Sequence, residues 1–278
     1  MPPVRQRRAL ARRMPWVQTC RMFTRYVALG DSFTEGVGDD LPDGQVRGWA
    51  DLVALGLATA AGAPVDYANF AIRGKLLGPI VNEQLEPALA LRPDLISICG
   101  GGNDLMRPKV ELSYVIGLLE RVVDRAREEG AHVLLLSGPN PSRHLPLGGL
   151  LQRRGDQMAA AGRALFSRPD ITLVNNWTDA ELASSGYWSP DKLHLNARGH
   201  TRVASNVLTA LGVPVPGEWR ADAAGQAPAN EQVQGGGQYY RTYVLPWIGR
   251  RLTGRSSGDG RPPKRPVPEP VEPLGTAP

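Results

Sequence analysis

From residue 23 onward the apolar positions follow two alternating rhythms. Short runs rich in β-branched residues occur at 26–29, 65–70, 95–99, 133–137 and 171–174, and they are almost wholly apolar. Between them lie stretches whose apolar residues recur every three or four positions, at 49–61, 79–91, 112–128 and 150–166, with another near 197–211. In 112–128, Leu112, Val115, Leu119, Val122 and Ala126 fall on one helical face. Continuous apolar runs predict strands covered on both faces. Strands alternating with helices predict βαβ units. The expected fold is therefore α/β, a three-layer α/β/α sandwich around a parallel sheet.

After Gly212 the pattern changes. Val-Pro-Val-Pro-Gly at 213–217 breaks the helical rhythm, and 221–238 is rich in Ala, Gly, Gln and Asn. An amphipathic stretch follows from Tyr239 to Leu252, and 254–278 is rich in Pro, Gly and Ser. The expected organisation is a disordered basic leader or start-site artefact at 1–21, one folded domain at 22–213, a loop and docking segment at 214–253, and a disordered tail at 254–278.

Charge changes the picture only when divided. The chain carries a formal +5, but residues 1–25 hold seven arginines and no acid. Residues 26–238 hold 18 basic and 24 acidic side chains. An acidic body with basic ends does not suit a phosphate backbone, so no nucleic-acid partner is expected. The leader lacks the apolar core of a secretory signal. No run approaches the length of a membrane span, so stable membrane insertion is not expected; 239–252 is the one candidate for weak membrane-surface contact. Two distant cysteines, Cys20 and Cys99, form no disulfide framework and fit a cytoplasmic protein, with Cys99 a small core residue.

Candidate chemistry sits where strands end. Residues 26–38 read Tyr-Val-Ala-Leu-Gly-Asp-Ser-Phe-Thr-Glu-Gly-Val-Gly. Ser32 through Glu35 match a capping box, yet the glycines, acids and proline after Glu35 cannot continue a helix. Ser32 is thus left at the carboxyl end of a buried strand, where ligands bind in open α/β sheets. A serine nucleophile needs a base, and the base an orienting group. His194 has Asp191 three residues before it, within reach over one turn. His132 and His144 flank a strand, and His200 lies inside a helix, where packing is the expected role. A zinc site from Asp191, His194 and His200 would need ligands that the sequence does not place, so no metal is expected. Acyl transfer also needs donors for an oxyanion. Gly74, after the second strand, offers a backbone N–H, and Asn103, after Cys99-Gly-Gly-Gly, offers a side-chain amide. A second serine pattern, Gly254-Arg-Ser256-Ser-Gly258, has neither a strand before it nor a helix after it and reads as chance.

Taken in order, Gly30-Asp-Ser32 with Thr34 and Gly36, then Gly74, then Gly101-Gly-Asn103-Asp104, then Asp191-x-x-His194 resemble the four blocks of the SGNH hydrolases, or GDSL esterases and lipases. Phe33 departs from the leucine of the name motif. The resemblance spans about residues 23–212. It implies a flavodoxin-like sandwich with five parallel strands, a Ser32–His194–Asp191 triad, and an oxyanion hole of the Ser32 N–H, the Gly74 N–H and the Asn103 side chain. It implies no cofactor. The substrate would be a small-molecule, lipid or carbohydrate ester. Short acyl or acetyl esters are favoured because no long apolar lid precedes the core. Acyl transfer, thioester hydrolysis and lysophospholipid hydrolysis are the alternatives on the same site. A non-catalytic flavodoxin-like binding module is the alternative of a different class.

Overall fold

The computed structural model describes residues 22–107, 109–145, 148–219, 240–246, 249 and 255–275. The leader at 1–21 and the loop at 221–238 lie outside them. Strands β1 (Arg25–Gly30), β2 (Val65–Asn69), β3 (Leu95–Cys99), β4 (His132–Ser137) and β5 (Ile171–Asn175) alternate with helices. The long helices are α2 (Trp49–Ala61), α3 (Leu77–Leu89), α5 (Leu112–Glu128), α6 (Gly148–Leu165) and α7 (Ala197–Ala210). Two single turns, α1 (Ser32–Glu35) and α4 (Gly102–Leu105), follow β1 and β3 directly.

The sheet order is β5-β4-β3-β1-β2-β6. The first five strands run parallel, with Tyr26 of β1 opposite Tyr67 of β2 and Leu95 of β3. Side chains alternate across each strand, so Tyr26 and Ala28 join the core beneath α2 and α7, while Val27 and Leu29 join the core beneath α3 and α5. Both faces are covered, which is why the strand sequences lack polar alternation. The first core extends past the expected boundary at 213 and takes in Trp219.

The expected disordered tail needs correcting. Residues 265–271 form a sixth strand, β6 (Arg265–Val271), antiparallel to β2, so the sheet has six strands rather than five. Its sequence is Arg-Pro-Val-Pro-Glu-Pro-Val. Successive backbone N–H groups of an extended strand point to opposite edges, so prolines at every second position remove donors from one edge only. A strand at the border of a sheet tolerates this, because its other edge still pairs. Of the expected docking segment, Thr242, Tyr243 and Pro246 line the cleft described below, and Tyr243 is half-buried.

Candidate active site

Gly30 ends β1 with both its backbone groups held by the buried amide of Gln84 in α3: its N–H donates to Oε1 at 2.9 Å, and its carbonyl accepts from Nε2 at 3.0 Å. Asp31, not Ser32, then caps α1, accepting the Phe33 N–H at 3.1 Å. Ser32 is the first helical residue at the carboxyl end of a central strand. Glu35 does not close a capping box. Its carboxylate instead takes the Arg73 backbone N–H at 2.6 Å and the Arg73 guanidinium at 2.8 and 2.5 Å. Block one therefore carries the serine and also fixes the residue before Gly74.

His194 reaches the serine from a tight loop before α7. Its backbone carbonyl accepts the Ser189 N–H at 2.8 Å, and Trp188 bridges to Leu195. Asp191 Oδ1 accepts the Leu193 and His194 N–H groups, each at 3.0 Å, and Oδ2 lies 2.5 Å from His194 Nδ1. Burial alone would raise the Asp191 carboxyl; the hydrogen bonds from His194 and the backbone outweigh it and hold Asp191 below its ordinary value. A carboxylate only accepts, so Nδ1 carries the proton. Nε2 is then the acceptor, 3.1 Å from Ser32 Oγ.

The expected oxyanion donors come to the same place. Gly74, at φ 77°, uses a backbone region that side chains disfavour. Asn103, in the turn α4, donates through Nδ2 to the Lys75 carbonyl at 3.0 Å and to Asp31 Oδ2 at 3.1 Å. Burial pushes the Asp31 carboxyl up to about 6, opposed by its bonds from Phe33 and Asn103 and by the nearby His194. Ser32, Gly74, Asn103, Asp191 and His194 all line one cavity of about 880 Å³.

The remaining histidines stand apart from the chemistry. His200 is buried, accepts the Trp49 N–H on Nδ1 at 3.1 Å, and meets the Val37 carbonyl through Nε2 at 3.3 Å. Both its nitrogens are committed, which leaves none for a metal shared with Asp191 and His194. His132 bonds Thr172 across two strands, and His144 packs on Trp188. Cys99 is buried in β3, and burial pushes its thiol well up.

Asp31, Glu35, Gln84 and Arg73 were not expected in the site. The opposite charges of Glu35, three residues after Ser32, and Arg73, next to Gly74, were the signal for one of these pairings. Gln84 gave none, being one polar position on a helix. Ser256 sits in a turn, its N–H donating to Asp259 Oδ2 at 2.8 Å and its hydroxyl accepting the Gly258 N–H at 3.1 Å. It is not at a strand-to-helix elbow, but it does line the cavity.

A family model described as the GDSL-like lipase/acylhydrolase family matches residues 28–202. The chain belongs to that family. As a GDSL-like acylhydrolase it is a carboxylic ester hydrolase. Solved structures agree on the fold. The lipase Lip_vut3 from a goat rumen metagenome is 23% identical, with a TM-score of 0.57 over 67% of this chain and 96% of its own. TesA is 25% identical, with a TM-score of 0.54 over 67% and 97%. An acetylxylan esterase from Geobacillus stearothermophilus is 19% identical, with a TM-score of 0.55 over 69% and 95%. No curated protein matches the chain by sequence. Among the described residues no helix is long and apolar enough to cross a membrane.

Proposed function

We propose that this GDSL-family chain hydrolyses carboxylic esters through an acyl-enzyme on Ser32, with His194 as base and Asp191 as its orienting partner. The observation that carries this is the relay of 3.1 Å from Ser32 Oγ to His194 Nε2 and 2.5 Å from Nδ1 to Asp191. Ser32 Oγ attacks the ester carbonyl as its proton passes to Nε2. The developing oxyanion is met by the N–H groups of Ser32 and Gly74 and by the Asn103 amide, whose bond to Asp31 is then shared. The imidazolium returns its proton to the departing alcohol. Water, deprotonated by the same nitrogen, releases the acid and restores Ser32.

The cavity supports an apolar acyl group longer than acetyl, against the short-chain preference drawn from the sequence. From Ser32 it runs under α6 past Leu119, Leu135, Leu173 and Met158. In α6, an 18-residue helix, only Leu151 and Gly155 are buried, and Leu150, Leu151, Met158 and Ala159 give the cavity an apolar wall. At about 880 Å³ the cavity is near the upper end of the roughly 300–1,000 Å³ usual for small-molecule sites.

Labelling with a fluorophosphonate, followed by hydrolysis of p-nitrophenyl esters from acetate to palmitate, tests both statements. Ser32→Ala is expected to lose labelling and hydrolysis with an unchanged thermal melt. A wild-type chain that takes no label would favour a non-catalytic module. Each methylene that leaves water contributes up to about 0.8 kcal/mol, or roughly fourfold, so kcat/KM should climb from acetate to octanoate. A profile highest at acetate would remove the acyl chain from the cavity.

A further inference from the structure

Residues 255–275 lie outside the stretch that the family model matches, which ends at 202. They nevertheless touch the site at its second block. Loop 70–74, which leads from β2 to Gly74, is gripped from two sides. On the inner side the Glu35 carboxylate holds the backbone N–H and guanidinium of Arg73. On the outer side the Ser256 hydroxyl lies 3.4 Å from the Arg73 carbonyl and occupies the space a side chain at Gly74 would need. Gly258 presses on the same carbonyl so closely that a methyl group there would collide with it.

Two anchors hold the outer side in place. β6 pairs with β2, the strand that feeds the loop, and brings Arg265 opposite Asn69. Lys264 is mostly buried, and its ammonium donates to the Glu35 carbonyl at 2.8 Å, to Asp51 Oδ2 at 2.7 Å, and to the Arg47 carbonyl. The same Glu35 that grips Arg73 from within is therefore tied to the segment that grips it from without.

We propose that residues 255–264 are a clamp that aims the Gly74 N–H, so that transition-state stabilisation at Ser32 depends on the C-terminal segment. These are positioning residues. They act through Arg73 and Gly74 and take no part in the chemistry. The proposal rests on the reading of Gly74 as an oxyanion donor. Fixing a backbone donor from both sides matters because a displacement of about 1 Å from the reacting atoms can cost on the order of 10²-fold in rate.

Gly258→Ala in the full chain is the sharpest test. Gly258 does not use the left-handed backbone region, so alanine fits its conformation, and the added methyl group can only push Arg73 and the clamp apart. With the octanoate ester, kcat should fall about 10- to 100-fold, short of the loss of a whole donor, while KM stays within about twofold of wild type, since the oxyanion exists only after attack. The Ki of a boronic acid that forms the tetrahedral adduct on Ser32 should rise in proportion to the loss in kcat. Ser256→Ala, which removes atoms and adds none, should give a smaller loss with the same split and serves if Gly258→Ala does not fold. Turnover and Ki at wild-type values in a folded variant, even with a lowered melting temperature, would reduce the segment to a structural cover and overturn the clamp. Absence of Ser32-dependent hydrolysis in the wild-type chain would overturn the hydrolase reading itself, and the clamp with it.

Discussion

At the scale of single residues, the proposed mechanism asks one amide, that of Asn103, to serve two states. At rest its two hydrogens go to Lys75 and Asp31. Under the proposed mechanism one of them is shared with the oxyanion in the transition state. Asn103→Ala is expected to lower kcat by about 10²–10³ with KM nearly unchanged, read from steady-state kinetics. A normal kcat with a lowered melt would make Asn103 a turn residue only. His200 works through stability. Burial pushes its imidazole down to about 4 from an ordinary 6.5, against the pull of its bond to Val37. In the unfolded chain the ring gains its proton as pH drops below about 6.5, while the folded ring stays neutral until about 4. Stability from this residue is thus complete above the unfolded value and is lost on acidification. Asp31 works in the opposite sense, since a carboxyl raised to about 6 favours the fold in its protonated form. The useful measurement is therefore a difference. The melting-temperature advantage of wild type over His200→Gln should narrow between pH 7 and pH 4.5. An advantage that stays constant over that range would mean His200 titrates alike in both states.

Among the elements, legibility followed burial. The five parallel strands were readable because both faces are covered and their sequences are continuous apolar runs. The long helices were readable because one face of each is periodic. The turns α1 and α4 escaped because four residues carry no period and glycines punctuate both, Gly30 and Gly36 about α1 and Gly101 and Gly102 at the start of α4. At α1 the capping pattern was present but shifted by one residue: Asp31 caps, and the buried Glu35 pairs with Arg73 instead. That choice could not be made from local sequence, since Arg73 lies 38 positions away. That the candidate residues Ser32, Gly74, Asn103, Asp191 and His194 would share one cavity was legible because they come after successive strands, and parallel strands bring their carboxyl ends to one rim. The apolar lining of that cavity was not. It includes Leu105, Leu119, Leu135, Met158 and Leu173, which come from five different elements, a juxtaposition that no window of sequence contains.

For the whole molecule, the least legible part was the end of the chain. Proline and glycine richness argued for disorder, and it took the partner strand β2 to show that 265–271, with its alternating prolines, forms a strand. The alternation has a consequence for solubility. A sheet border with open amides recruits other chains. Here the border strand offers prolines at 266, 268 and 270 on one edge, so a neighbouring copy finds few donors to pair with. A chain ended at residue 254 would lack β6 and present the bare edge of β2, Val65–Asn69, to solvent. Such a chain should self-associate with rising concentration, seen by light scattering against the full-length protein; equal masses at every concentration would show that β2 needs no cover. The last residues would then protect a cell's stock of this enzyme from its own sheet.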